Sequence, residues 1–282
     1  MTTLEQTFSK FLSSLELTSA QRDAASKQHV ALRENLQKHL ETLESFLTGS
    51  FARRTAIRPL NDIDMFVVLD PSASAPTPPT PEALLGHLKA ALAKTYPAKS
   101  VRRQTRSLNI EFSGTGIAYD IVPALPRQGG GYRIPDRDAS SWIATNPKTH
   151  KRMGTEANER AGKKLIPLVK ALKHANVHAG KPARSFHLEA LSWTILTQKP
   201  GSWLGGLSTL VAGLERSITA PCPDPANLGP NIEPDQVRVG KSKKWLSTVR
   251  RHVDEAVRLA SRGDDAGAHQ QLKKVFGPQW PA

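Results

Sequence analysis

The chain is 282 residues long, enough to bury a substantial core either as one large domain or as two interlocked smaller ones. No stretch approaches the roughly 18 consecutive apolar residues that a membrane helix needs, and the single cysteine, Cys222, rules out an internal disulfide and a thiolate metal cage and reads as an incidental loop residue. The formal net charge of +14 draws polyanions to the surface without choosing among nucleoside triphosphates, RNA and DNA.

The opening segment, MTTLEQTFSKFLSSLEL, lacks the basic start, apolar middle and small-residue cleavage site of a secretory signal, which makes a cytoplasmic location the expectation. Apolar residues at helical spacing, Phe8, Phe11, Leu12 and Leu15, then Leu32, Leu36, Leu40, Leu43 and Leu47, predict two helices before Thr48, the second of them long. The pattern breaks at Thr48-Gly49-Ser50; a short basic helix, FARRTAI, follows, and Arg58-Pro59 ends it. The run DIDMFVVL, from Asp62 to Leu69, alternates and then turns fully apolar, as a strand does when it enters a core from an exposed end. The Pro- and Ser-rich run from Pro71 to Pro81 is a surface loop whose length invites a lid, although a passive connection is the simpler reading. Pro81 then starts an amphipathic helix, PEALLGHLKAALAKTY, and SVRRQTRSLNIEFSG and GIAYDIVPAL read as two strands joined around Ser113-Gly114-Thr115-Gly116. From Trp142 onward no strand signal is strong. Helices are predicted over 155–177, 185–197, 203–218 and 241–276, with the turn-rich PCPDPANLGPNIEPD between the last two.

Asp62 and Asp64 lie two residues apart on a predicted strand, so both carboxylates project from one face into one small volume. Their repulsion is resolved by a divalent cation, and Mg²⁺ favours one or two carboxylates together with substrate phosphates. Phosphoryl or nucleotidyl transfer asks for this: one ion orients and deprotonates the attacking hydroxyl, and a second neutralises the charge developing on the departing pyrophosphate. Asp120, in AYDIVPAL, joins the pair if its strand is a neighbour, as a ligand to the first ion and as acceptor of the hydroxyl proton. Upstream, Gly49 permits a tight turn and close approach of backbone N–H groups to an anion, and Ser50 adds a hydroxyl donor to a phosphate. His174 and His178 stand four residues apart where the helix already frays, which argues against a zinc site, and no Gly-x-x-x-x-Gly-Lys loop is present.

The run TGSFARRTAIRPLNDIDMFVVL with the later AYDIVPAL resembles the core of the polymerase β-like nucleotidyltransferase superfamily, with its Gly-Ser signature and three acidic ligands. The resemblance implies an α+β fold: a twisted mixed sheet with helices behind it, and a helical second lobe that closes the cleft. Residues 1–140 then form the catalytic core with the N-terminal helices, and residues 141–282 the closing lobe. WIATNPKTH, the helix around LIPLVKALKHAN, the SFHLEAL helix and the ending VFGPQW are similar to the bacterial cyclic-oligonucleotide synthases of the cGAS/DncV-like group. That similarity implies two Mg²⁺ ions, with Mn²⁺ able to substitute, held by Asp62, Asp64 and Asp120. It implies nucleoside triphosphates (ATP, GTP or others) as substrates, and a cyclic di- or trinucleotide that acts on an effector protein in anti-phage signalling. By carry-over, Lys173 is the candidate contact to the triphosphate, ahead of Lys170, and Arg103 and Ser107 are candidates to line the nucleotide pocket. Tyr132 and Trp142 offer faces to a nucleobase, though anchoring a lobe junction is the favoured reading.

Two other readings stay open. An RNA-tailing or CCA-adding enzyme shares such a core and suits the charge, but the chain shows no separate RNA-binding module or aromatic sheet; an oligoadenylate-type enzyme releasing a linear product shares the same motifs. Outside the enzymes, a basic nucleic-acid-binding module with an inactive core accounts for the charge and leaves three carboxylates unexplained. Nucleic acid is thus a possible partner that the motifs do not require, and a membrane is not expected as one.

Overall fold

The computed structural model describes residues 3–73, 80–138 and 140–281. Two helices open the chain, α1 (Leu4–Ser14) and α2 (Ser19–Gln37), each started by a Thr whose side chain and a Gln three residues on satisfy each other's backbone N–H groups. Leu40, Leu43 and Leu47 do not continue α2; Thr42–Leu47 is strand β1, paired antiparallel with β2 (Asp62–Leu69). Leu43 is 54% exposed, so its helical spacing reflects no buried stripe, and the pairing with β2 decides the conformation. Between the two strands lies α3 (Gly49–Ala52), shorter than the FARRTAI helix expected.

Helix α4 (Pro81–Thr95) follows, with Thr80 as its cap; the proposed lid falls largely on residues 74–79, outside the described residues. The long strand expected before Ser113 is two short ones, β3 (Val101–Arg103) and β4 (Leu108–Phe112), separated by a turn in which the Gln104 N–H donates to the Ser107 carbonyl. Then come β5 (Ile117–Pro126), β6 (Tyr132–Asp136) and β7 (Ser141–Thr145). Trp142 therefore sits on a strand, against the expectation that strands end before it. The sheet runs β1-β2-β5-β4-β3, with β2 and β5 parallel and the other neighbours in that order antiparallel, while β6 pairs with the end of β5 and with β7.

Alternation gives this sheet two different faces. Ile63, Met65, Val67, Leu108, Ile110, Tyr119 and Ile121 share a core with Leu84, Leu85 and Leu88 of α4 and Leu32 and Leu36 of α2. Phe66, Val68, Val122 and Ala124 project to the opposite side with Tyr132 and Ile134. The carboxylates of β2 and β5 belong to this second face.

The rest of the chain is helical: α5 (Pro147–Arg160), α6 (Leu165–His178), α7 (Ser185–Ile195), α8 (Trp203–Ser217), α9 (Val239–Ala260) and α10 (Asp265–Phe276). Two helices expected to be continuous are broken. The first breaks where Gly162 and Lys163 take φ of 60° and 64°, and the second at Gly263, with φ 78°, before Asp264 caps α10. Helix α1 joins this half: Phe8 and Phe11 pack on Phe276 and Trp280 in the core that also holds Leu165 and Leu168. Cys222 is buried on a bridge to Ile232, and burial pushes its thiol up to about 11, so it is an inert packing residue.

Candidate active site

The parallel pairing of β2 with β5 sets Asp64 directly opposite Asp120, and Asp62 follows on the same face of β2 at the exposed end of the strand. The chain enters this site through Gly49, whose φ is +61°; a Cβ built there would stand 1.6 Å from Asp64 Oδ2. The Thr48 N–H donates to the Asp64 carbonyl at 2.8 Å, which fixes the turn to the strand. Ser50 follows and lines the cleft together with Asp62, Asp64, Arg53, Lys173 and Phe186, a space of about 290 Å³.

Burial and the neighbouring carboxylates make Asp64 and Asp120 reluctant to ionise. Burial, then Asp120 and Asp62, push the Asp64 carboxyl up to about 6, against the pull of Arg53 and Lys173. Burial also raises Asp120, and Asp62 adds to it, while hydrogen bonds from Asn109 and Gln104 and the charge of Arg102 hold it back. Among the described residues no three His, Cys, Asp or Glu side chains stand ready as a metal cage. Asp62 is exposed, and Asp120 Oδ1 accepts from Asn109 Nδ2 at 2.7 Å and Gln104 Nε2 at 3.0 Å. The donor set still fits a hard divalent cation, because all three side chains are oxygen ligands on one face and two of them carry raised pKa values that a cation would relieve.

A row of polar side chains continues across the sheet. Arg102 Nη2 donates to Asn109 Oδ1 at 3.0 Å, Asn109 donates to Asp120, and Ser107 Oγ donates to Gln104 Oε1 at 2.6 Å. Ser107 thus reaches the carboxylates through Gln104. Arg103 does not join the row. It alternates with Arg102, faces α4, and pairs with Glu82 at 2.6 Å, so its placement in the nucleotide pocket is corrected: Arg102 is the arginine on the carboxylate face.

Behind the cleft, Glu189 of α7 is fully buried. It accepts from Arg53 Nε at 2.9 Å, Thr55 Oγ1 at 2.8 Å and Lys173 Nζ at 3.1 Å, and Lys173 also donates to the Thr55 carbonyl at 2.9 Å. Burial alone would raise the Glu189 carboxyl; Arg53 and Lys173 outweigh it and hold it below the usual range. Lys173 is therefore at the floor of the cleft, with two of its three N–H groups committed. Lys170 points elsewhere and pairs with Glu16 at 2.6 Å. Phe186 lines the cleft with the Arg53 guanidinium 4.5 Å above its ring, whereas Tyr132 is buried in the sheet's second core and Trp142 packs against the first with Arg133 over it at 5.2 Å. His174 is spent on the Phe276 carbonyl. Arg53, Arg102, Gln104, Asn109, Phe186 and Glu189 are the site residues that sequence reasoning passed over; Arg102 and Asn109 come to one face only because the chain turns between β3 and β4 and pairs them across the two strands.

The architecture is that of the polymerase β-like nucleotidyltransferases, a mixed sheet with carboxylates on its central parallel pair and a helical lobe against it. The chain superposes on the structure of Escherichia coli MS115-1 CdnC with ATP at a TM-score of 0.77, covering 99% of each chain at 19% sequence identity. Residues 1–158 match the SMODS family, the Second Messenger Oligonucleotide or Dinucleotide Synthetase domain, and the chain belongs to that family. It is 30% identical over 205 residues to a cyclic AMP-AMP-AMP synthase of an Acinetobacter species, which is 67% of this chain and 57% of that one. It is 26% identical over 196 residues to the CBASS oligonucleotide cyclase CdnC of Escherichia coli, 64% of this chain and 62% of that one. The matches thus span less than two thirds of these relatives' lengths.

Proposed function

We propose that the protein is a divalent-metal-dependent nucleotidyltransferase that joins nucleoside triphosphates into a cyclic di- or trinucleotide. The reading rests above all on the register of Asp64 against Asp120, on one face of a parallel strand pair and beside a glycine whose missing side chain admits the Asp64 carboxylate. Asp62, Asp64 and Asp120 hold two Mg²⁺ ions, or Mn²⁺ in their place, which supply charge neutralisation to the triphosphate and make the acceptor hydroxyl more acidic. Asn109 and Gln104 occupy Asp120 Oδ1, which leaves Oδ2 to take the proton of the acceptor ribose hydroxyl. The backbone at Gly49 and the Ser50 hydroxyl cradle the β- and γ-phosphates, and Lys173 offers them its third N–H. Ser107, through Gln104, keeps Asp120 in position. Residues 1–140 act as the catalytic core and 141–282 as the closing lobe, with α1 packed into the latter.

The names of the relatives support a cyclic product, and the ATP in the CdnC structure supports a nucleoside triphosphate substrate. The name CBASS oligonucleotide cyclase supports a place in anti-phage signalling, with an effector protein as the reader of the product. No helix among the described residues is long and apolar enough to cross a membrane; we place the reaction in the cytoplasm.

The test incubates the protein with Mg²⁺ or Mn²⁺ and four labelled ribonucleoside triphosphates, treats the mixture with phosphatase, and resolves the products by mass spectrometry. Phosphatase-resistant cyclic species that vanish in Asp62→Ala are expected. Linear products would replace the cyclase by an oligoadenylate-type or tailing enzyme, and turnover that survives Asp62→Ala would dismiss the metal site.

A further inference from the structure

The first turn of α7 supplies Ser185, Phe186 and Glu189 to the cleft, yet its cap residue Arg184 makes no side-chain capping bond. The turn is held from outside, by residues 218–238, the connector between α8 and α9. Arg184 Nη1 donates to the Glu233 carbonyl at 3.4 Å, and the buried His187 hydrogen-bonds the backbone at Ala220. Phe186 lies between these two in the chain, and the connector reaches it through a third residue. That residue is His150 of α5, whose ring centroid is 5.4 Å from that of Phe186.

His150 is fixed in turn by the connector. Its Nε2 stands 2.6 Å from Asp224 Oδ1, and both residues are buried. Burial alone would raise the Asp224 carboxyl; the N–H groups of Gly229 and Leu228, at 2.8 and 3.1 Å, and His150 outweigh it and hold it below the usual range. An ionised carboxylate only accepts, so Nε2 carries the proton and the orientation of the ring is set. The loop that carries Asp224 is itself closed, because the Cys222 and Ile232 backbones bond each other in both directions at 3.0 and 2.8 Å. It is also pressed on the β6–β7 hairpin: a Cβ at Gly229 would stand 2.8 Å from the Ala144 carbonyl oxygen, and one at Gly131 2.7 Å from the Leu228 side chain. The connector thus takes its bearing from the sheet that carries the carboxylates and passes it to α7.

Neither His150 nor Asp224 lines the cleft, so their influence passes through Phe186. A phenyl ring has no polar atom to fix its angle, and what packs on it decides where it stands. Here the Arg53 guanidinium lies 4.5 Å from the ring centroid and is itself tied to Glu189, which leaves the His150 ring to fix Phe186 from the side of α5. We propose that His150 and Asp224 are positioning residues: they hold Phe186 and the first turn of α7 as the wall against which the nucleotide sits, and so set nucleotide affinity and not the chemical step. The inference deepens the nucleotidyltransferase reading and rests on it for the identity of the ligand.

Steady-state turnover of ATP and GTP by the full chain gives kcat and KM, and calorimetric titration with their α,β-methylene analogues, whose bridge does not break, gives affinity without chemistry. His150→Ala should raise KM and the analogue Kd roughly tenfold, the scale of a lost aromatic contact, with kcat nearly unchanged. His150→Gln, whose amide N–H takes the place of Nε2–H toward Asp224, should lie between wild type and His150→Ala. Asp224→Asn keeps the shape and an oxygen for the Gly229 and Leu228 N–H groups but turns its amide nitrogen toward His150. It should weaken binding in the same direction, and it decides the matter if His150→Ala does not fold. Leu88→Ala, a truncation in the core on the other face of the sheet, shows what loss of stability alone does and should leave KM and Kd unchanged. Wild-type KM and Kd in both His150→Ala and Asp224→Asn would overturn the role, as would equal weakening in Leu88→Ala. A fall in kcat at unchanged KM would move His150 to the chemical step and overturn it too. Absence of turnover by the wild type, with the contrast in analogue affinity intact, would overturn the nucleotidyltransferase reading and leave the positioning role standing; a wild type that binds neither analogue would overturn the positioning role.

Discussion

Gly49 and Asp64 exclude any other pair at their positions: the carboxylate occupies the place where a side chain at residue 49 would begin, 1.6 Å from Oδ2. The backbone at Gly49 adds a second demand, since its φ of +61° suits residues without a Cβ. Gly49→Ala therefore displaces Asp64 and strains the turn at once. The expected outcome is a loss of turnover of roughly 100-fold, the scale of an ångström-sized misplacement, with a stability loss of about 1–3 kcal/mol. Steady-state kinetics beside thermal unfolding check it; a variant with full activity would show that Asp64 does not need its present position.

Glu189 carries the opposite burden, a buried charge answered from two sides by Arg53 and Lys173. Glu189→Gln keeps the shape and leaves both cations without a counter-charge, at a cost of about 3–5 kcal/mol. The pH dependence has a definite sign. The Glu189 carboxyl lies below its ordinary value of 4.5 in the folded state, so the stability it contributes is present above that value and drains away as pH falls through the folded one. Urea unfolding across pH 3 to 7, taken as roughly the range in which carboxylates titrate, should show wild type and Glu189→Gln converging at the acid end. A constant gap would place the cost of the substitution in packing.

Asp62–Leu69 was legible as a strand because parity and a run of β-branched and aromatic residues leave no helical alternative, and Asp120 was legible as its neighbour from the similar run after it. The strand Thr42–Leu47 was hidden because Leu36, Leu40, Leu43 and Leu47 mimic a helix stripe, and what overrides them is a partner strand further along the chain. The Tyr132–Thr145 hairpin was hidden by Pro135 and the glycines before it, which read as loop. Arg103 was chosen over Arg102 because adjacent residues on a short strand differ only in face, and the face is fixed by where α4 packs. Glu189 had no local signal, since its partners come from α6 and from the turn after α3.

The raised Asp64 carboxyl implies that the metal-free site opposes folding. Its pKa climbs from 3.8 to about 6 on folding, so the folded state binds the extra proton between those values and the protein loses stability as pH rises through them. In EDTA, Asp64→Asn should be more stable than the wild type by about 1–3 kcal/mol at neutral pH, with the gap closing toward pH 4. Mg²⁺ should raise the melting temperature of the wild type and leave that of Asp64→Asn nearly unmoved. A wild type indifferent to Mg²⁺ and EDTA would remove the metal from this site.

Asn109 and Arg103 give the sharpest contrast between the two faces of one sheet. Asn109 is buried, donates to Asp120 Oδ1 at 2.7 Å, and is itself held by Arg102. Removing it in Asn109→Ala frees the carboxylate to rotate and removes a bond that favours its charged form. Turnover should drop by roughly 10- to 100-fold, with the KM for triphosphate changed far less, because a positioned proton acceptor acts in the transition state. Gln104→Ala, which removes the longer and more exposed bond, should cost less. Arg103→Ala breaks only a pair with the exposed Glu82 on the opposite face and should leave turnover unchanged, with about 0–1 kcal/mol of stability at stake. Kinetics of the three variants in parallel decide the matter. Equal losses in Asn109→Ala and Arg103→Ala would mean that the substrate reads both faces, and the carboxylate row would lose its claim to the chemistry.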